Sequence, residues 1–294
     1  MDFKTFLDTV KHGYADSDGV IIHYAEIGEG PLVVMIHGFP DCWFTWWRQM
    51  LALAGQYRVI AIDQRGYNRS DKPEGLSNYA MEKLLKDVAA VILDADQESA
   101  IIIGHDWGGA VAWQFAIHVP HMTRRLAILN VSHPSALSRE LATNPEQQAG
   151  SEYAQKFIEG SAADPGIIFG KPMTPENLAF WVQDPEEKQA YLEAFERSDF
   201  DAMLNIYKAN YIRKPYDKAW QQAQQHPLPK LKMPVLVIHG LQDPAINAHG
   251  LNNCWEWCEN DLSILTIPEA GHFVQHDAAE KVSKHLLAWL NLSK

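Results

Sequence analysis

The first third of the chain alternates short continuous apolar runs with segments of helical period. Residues 20–26 (VIIHYAE) predict an early strand, and 28–31 (GEGP) supply turn chemistry. Residues 32–36 (LVVMI), 57–62 (YRVIAI), 100–103 (AIII) and 126–129 (LAIL) are unbroken apolar runs, the pattern of strands buried on both faces. Between them, residues 81–93 place Leu84, Leu85, Val88, Val91 and Ile92 on one helical face, and residues 108–119 read as a second helix. The alternation stops after Pro134. From there to about residue 229 no buried strand is predicted, and helices are expected near 152–158, 175–181, 187–196 and 200–211. Strand signals return at 235–238 (VLVI) and 262–267 (LSILTI), and an amphipathic helix closes the chain near 278–290. Alternating strands and helices imply an α/β fold, a mostly parallel sheet flanked by helices. We expect a core domain of residues 1–134 and 230–294, with residues 135–229 a helical cap.

Composition narrows the classes of function. Of 294 residues, 47% are apolar and 21% charged, which is the balance of a folded chain rather than a disordered one. A net charge of −12 would repel a phosphate polyanion, so no nucleic-acid partner is expected. No apolar stretch reaches about 18 residues, so no membrane span is expected. Residues 1–20 carry four aspartates and do not read as a secretory leader, which makes the cytoplasm the expected compartment. Cys254 and Cys258 lie one helical turn apart, but no second Cys/His cluster accompanies them, so packing rather than metal binding is expected.

The chemistry is concentrated at strand ends. Residues 102–109 (IIGHDWGG) run from a strand through small residues to a polar tip and then to glycines that open a helix. That is the form of a nucleophile elbow, with Asp106 at its tip. A carboxylate there can attack an electrophilic sp³ carbon and leave an alkyl ester on the protein. The bland alternative is an aspartate capping the helix from Gly108. Residues 37–40 (HGFP) follow the LVVMI strand. Their turn can aim the Phe39 N–H at the elbow, with the Trp107 N–H as a second donor, forming an oxyanion hole. Residues 240–243 (GLQD) follow VLVI, and Gly271-His272 follows LSILTI. Asp106, Asp243 and His272 then stand in nucleophile, acid, base order, with His272 to activate water and Asp243 to orient it. Asn130, after LAIL, is not ionisable, so an acid at that alternative place is absent.

Together with 63–73 (DQRGYNRSDKP), these motifs resemble the α/β-hydrolase superfamily, and within it the epoxide hydrolases and their haloalkane and fluoroacetate dehalogenase relatives. Asn68 departs from the family's usual glycine, but Asn tolerates the left-handed conformation. The resemblance covers nearly the whole chain and implies a helical cap after the sixth strand and no cofactor or metal. It also implies two cap tyrosines that protonate the opened epoxide. Tyr207 in 204–210 (LNIYKAN) matches the second, and Tyr153 in 151–157 (SEYAQKF) the first. Phe39 stands where haloalkane dehalogenases often carry Asn, and Trp107 and Ala110 stand where fluoroacetate dehalogenases carry arginines. The expected reaction is therefore epoxide to vicinal diol, with a small hydrophobic epoxide and water as partners and a monomer or homodimer as the working unit. Dehalogenation with the same triad, or a non-catalytic ligand-binding protein, are the alternatives. His37, Pro40 and Trp43 are expected to help line the substrate pocket.

Overall fold

The computed structural model describes residues 1–292. Eight strands form one sheet: β1 (Lys11–Ser17), β2 (Val20–Ile27), β3 (Leu32–Ile36), β4 (Arg58–Ile62), β5 (Ala100–His105), β6 (Thr123–Leu129), β7 (Val235–Gly240) and β8 (Leu262–Ile267). Their spatial order is β1-β2-β4-β3-β5-β6-β7-β8, and only the pairings made by β2 are antiparallel. Every residue of β3, β5 and β7 is buried, which explains why these strands read as unbroken apolar runs. Strand β1 (KHGYADS) carried no such signal. It is an edge strand, mostly exposed, that buries only Ala15 and Ser17, so its polar composition fits its place.

Helices Met81–Asp94, Trp107–His118 and Ala279–Asn291 agree with the apolar periodicity to within a residue or two. Between β6 and β7 the chain forms seven helices among the described residues, from Pro134–Thr143 to Asp217–Gln225. One is shorter than its spacing suggests. Helix Pro175–Leu178 stops three residues early, and Trp181 instead stacks on Phe273 at 4.1 Å. Tertiary stacking on the loop after β8 overrides local helical preference there.

Polar contacts tie this helical segment to the loops and helices that flank the sheet. Tyr191 Oη donates to Asp41 Oδ1 at 2.7 Å, Arg48 pairs with Glu187 at 2.5 Å, and Asn210 Nδ2 donates to the Tyr79 carbonyl at 2.9 Å. Among the described residues no helix is long and apolar enough to cross a membrane.

Candidate active site

The turn after β5 is set by close backbone packing. Asp106 has φ 50° and ψ −121°, a conformation that costs an L-residue energy and persists only where its surroundings impose it. A Cβ on Gly108 would lie 2.1 Å from the Ile36 carbonyl oxygen, and one on Gly38 would lie 2.4 Å from Asp106 Cβ. The turns after β3 and β5 therefore touch through glycines. That contact brings the Phe39 N–H to 2.8 Å from Asp106 Oδ1. Asp106 occupies the N-cap position of helix Trp107–His118, yet its side chain makes no capping hydrogen bond. The carboxylate is turned toward Phe39 and His272 instead, which overturns the plain helix-cap reading.

His272 lies between two carboxylates. Its Nδ1 is 2.8 Å from Asp243 Oδ2, and its Nε2 is 3.5 Å from Asp106 Oδ2. Asp243 is itself fixed. Its Oδ1 accepts from the backbone N–H groups of Ala245 at 2.8 Å and Ile246 at 3.0 Å, and its Oδ2 also accepts from Asn130 Nδ2 at 2.7 Å. Asn130 additionally donates to the Gly271 carbonyl at 2.9 Å and accepts from the Gly240 N–H at 3.0 Å. One amide thus joins the ends of β6 and β7 to the loop that carries His272. Its sequence signal, a polar residue at a buried strand end, was legible as a position but not as this set of bonds.

The electrostatics follow from this packing. Burial alone would hold Asp243 neutral, but the charge and hydrogen bond of His272, with the Asn130 and backbone donors, outweigh it and lower its pKa to about 2. Asp106 shows the same balance: burial opposes ionisation, and the hydrogen bond and charge of His272, with the Phe39 N–H, lower its pKa below the ordinary carboxylate value. For His272, burial opposes the imidazolium, and Asp243 and Asp106 together raise its pKa well above the ordinary value. All three shifts favour the ionised forms, so Asp106, His272 and Asp243 form a row in which each group stabilises the charge of its neighbour.

Behind it, His105 Nε2 donates to the His272 carbonyl at 2.7 Å, and its Nδ1 lies 3.2 Å from Gln275 Nε2. Burial, then the nearby His272, lower the His105 pKa to about 4, so this ring is neutral and buttresses the loop without adding charge. Gln275 continues the chain to Thr45 Oγ1 at 3.1 Å. Nothing in the linear sequence marks Gln275, because its partners lie 170 and 230 residues away.

A cavity of about 320 Å³ opens above the row, at the low end of ligand-site sizes. Asp106, His272, Phe39 and Pro40 form part of its lining, and Tyr153 and Tyr207 enter it from the helical segment. The two tyrosine rings are 6.2 Å apart, and Tyr207 meets Trp107 at 5.0 Å and Phe39 at 5.4 Å, both edge to face. Burial first, and neighbouring tyrosines and Asp106 after it, raise both phenol pKa values well above the ordinary value, so both stay protonated. Trp107 is the first residue of its helix, ahead of the first intrahelical bond, which Ala110 N makes to the Asp106 carbonyl.

Two expected pocket residues lie elsewhere. His37 is fully buried beneath the turn, where its Nδ1 meets the Gly38 carbonyl at 2.7 Å and its Nε2 accepts from the Gln64 N–H at 3.1 Å. Trp43 faces away into the core, against Phe44 at 5.6 Å and Phe6 at 6.0 Å. Helix Phe3–Thr9, which the apolar pattern did not reveal, supplies Phe6, the ring against which Trp43 packs. Among the described residues the apolar walls come instead from Phe157, Leu178, Trp181 and Phe273. No lysine or arginine is among the described lining residues.

The family model for the alpha/beta hydrolase fold matches residues 31–279. The chain is 32% identical over 293 residues to the AB hydrolase superfamily protein YfhM of Bacillus subtilis, spanning 97% of this chain and 99% of that one. It is 32% identical to epoxide hydrolase 1 of Caenorhabditis elegans, across 92% of this chain and 68% of the relative. A solved single-substitution variant of an epoxide hydrolase from Bacillus megaterium superposes with a TM-score of 0.86 at 30% identity, covering 95% of this chain and 100% of that one. The chain belongs to the alpha/beta hydrolase family. Within that family it is an epoxide-hydrolase-like member.

Proposed function

We propose that the protein opens epoxides to vicinal diols through a covalent ester on Asp106. The observation that carries this reading is the unequal setting of the two Asp106 oxygens: Oδ1 accepts from the Phe39 N–H, and Oδ2 faces His272 beneath a cavity with two protonated tyrosines. In the first step Asp106 Oδ2 forms a bond to a ring carbon, the carbon–oxygen bond of the epoxide breaks, and Tyr207 or Tyr153 gives the alkoxide its proton. The ester no longer carries the Asp106 charge, so one of the two carboxylates that raise the His272 pKa is lost. The imidazolium then returns a proton to the phenolate and becomes a neutral base.

In the second step water attacks Asp106 Cγ and His272 takes its proton. Oδ1 becomes the oxyanion, next to the Phe39 N–H and with the Trp107 N–H as second donor. Collapse expels the diol oxygen, which takes the remaining carboxyl proton. Asp106 is ionised again, and one water has been added. Asp243 and Asn130 orient the base throughout, and the helical segment acts as a cap that brings the tyrosines over the carboxylate. No step calls on a cofactor or metal. The partners are a small hydrophobic epoxide and water.

The apolar lining, without a lysine or arginine among its described residues, offers a carboxylate substrate no clamp, which weighs against fluoroacetate. The test is a substrate panel of styrene oxide, 1,2-epoxybutane, 1-bromobutane and fluoroacetate. Diol from the epoxides with little bromide or fluoride is expected. Halide release without any diol would overturn the assignment.

A further inference from the structure

Asp243 and the two tyrosines stand on different parts of the chain, and one buried amide lies between them. Gln147 is on helix Pro145–Gly150, the second of the helical segment, and is 1% exposed. A glutamine side chain taken out of water needs partners for its oxygen and for both of its N–H bonds. Gln147 has all three. Its Oε1 accepts from the Asn247 N–H at 2.8 Å, and its Nε2 donates to the Ala245 carbonyl at 2.8 Å and to Ser151 Oγ at 2.9 Å. The Asn247 N–H needs an acceptor, which decides the end of the amide that is oxygen.

Two of these bonds hold the loop that holds Asp243. The N–H of Ala245 donates to Asp243 Oδ1 at 2.8 Å, while its carbonyl accepts from Gln147. One loop residue therefore fixes the acid on one side and is fixed by the amide on the other. With the Asn247 N–H bound as well, Gln147 pairs with residues 245–247 as a parallel strand would. The approach is close. A Cβ on Gly150 would lie 2.6 Å from the Pro244 carbonyl oxygen, so this helix packs on the loop through a glycine.

The third bond runs toward the tyrosines. Ser151 is fully buried at the N-cap of helix Glu152–Glu159, two residues before Tyr153. Its hydroxyl is also hydrogen-bonded to the phenol of Tyr211. The Tyr211 ring lies 6.1 Å from that of Tyr207 and 6.2 Å from that of Trp107. The Gln147 amide is thus the point where the acid loop and the tyrosine helices meet. A satisfied buried polar group fixes one arrangement of its neighbours, where an apolar side chain would only fill the space.

We propose that Gln147 is a positioning residue that sets Asp243 and the two tyrosines in one fixed relation above Asp106. It acts through Ala245 on the acid and through Ser151 on the phenols. One side chain then serves both steps: ester formation through the tyrosines, and ester hydrolysis through the Asp243–His272 pair. The inference deepens the epoxide reading and rests on it for the kinetics, while the link from Gln147 to Asp243 is readable without any substrate.

The experiment measures the two half-reactions with styrene oxide by rapid quench in the wild type, Q147M and S151A. Methionine keeps the length of the side chain and removes all three bonds, whereas S151A cuts only the branch to the phenols. Q147M is expected to slow both steps by up to about 10²-fold, the scale of a misplacement of about 1 Å in catalytic geometry. S151A is expected to slow ester formation and spare ester hydrolysis. In parallel, proton NMR without substrate follows the far-downfield N–H resonance of His272 bonded to Asp243, assigned by its loss in Asp243→Asn. It should move upfield or broaden away in Q147M and persist in S151A. Circular dichroism establishes that each variant is folded at the assay temperature. Where Q147M does not fold, Q147E replaces it and should show the same pattern, since a carboxyl supplies at most one of the two donors. A folded variant at position 147 with an unmoved resonance and unslowed hydrolysis would overturn the proposal. So would rates that fall in both steps only in proportion to the unfolded fraction. If the wild type hydrolyses no epoxide but the resonance still depends on Gln147, the positioning role stands and the epoxide reading falls.

Discussion

The Phe39 N–H holds Asp106 Oδ1 at 2.8 Å, while Oδ2, the other oxygen of that carboxylate, lies 3.5 Å from His272 Nε2. This division predicts where each oxygen goes. In a single turnover in ¹⁸O-water, label should enter the carboxylate of Asp106, read by mass spectrometry of the peptide that contains it. Label found only in the diol under those conditions would mean direct attack by water. His272→Gln should still form the ester but fail to hydrolyse it, so intact-protein mass should show one substrate equivalent added. A variant that never gains mass would mean that His272 is needed for bond formation itself, and not only to reprotonate the phenol and activate water.

Tyr207 is buried beside Trp107 and stays protonated, so it is placed to donate rather than to attack. Tyr207→Phe should slow ester formation about 10²-fold or more, the range for a lost general acid, while leaving ester hydrolysis much less affected. Rapid-quench measurement of the two half-reactions separates them. Tyr153→Phe should act on the same step, and an equal loss in both half-reactions would assign these phenols some other role.

The pH dependence follows from the same charges. Asp106 has a lowered pKa, so ester formation should persist as the pH falls toward the ordinary carboxylate range. His272 has a raised pKa, held up partly by Asp106, and must be neutral to activate water. Ester formation removes the Asp106 charge and lowers the His272 pKa, but Asp243 still favours the imidazolium. Acid should therefore stop hydrolysis before it stops ester formation. Enzyme quenched with substrate at about pH 5 should carry more covalent adduct than at about pH 8. Equal adduct at both values would remove His272 titration as the cause.

Gly108 tests the scaffold rather than the chemistry. A Cβ there would lie 2.1 Å from the backbone oxygen of Ile36, which no side-chain rotation relieves. Gly108→Ala should destabilise the fold by about 3 kcal/mol or more, as expected for forced strain in a packed core. Urea unfolding followed by circular dichroism gives the difference directly. A change below about 0.5 kcal/mol, the scale of neutral surface substitutions, would mean that the two turns are not in this contact.

The sequence by itself determined the order of the central elements and singled out the three candidate residues of the site. Apolar runs buried on both faces mark β3 to β7, because a parallel sheet covered by helices leaves those strands no polar face. The candidate residues lie within one to five residues of a strand end, so a short motif after each run was enough to name Asp106, Asp243 and His272. Edge strand β1 and helix Phe3–Thr9 escaped this reading, since one buries few residues and the other is only seven residues long. Tertiary structure alone decided the rest. It sent Trp43 into the core against Phe6 and put His37 under the turn, although both sit beside a motif that reaches the cavity. It made Asn130 the tie between Asp243 and Gly271, and linked Gln275 to His105. Local periodicity says which face of an element is apolar. Which apolar face meets a cavity and which meets a neighbour depends on partners more than a hundred residues away.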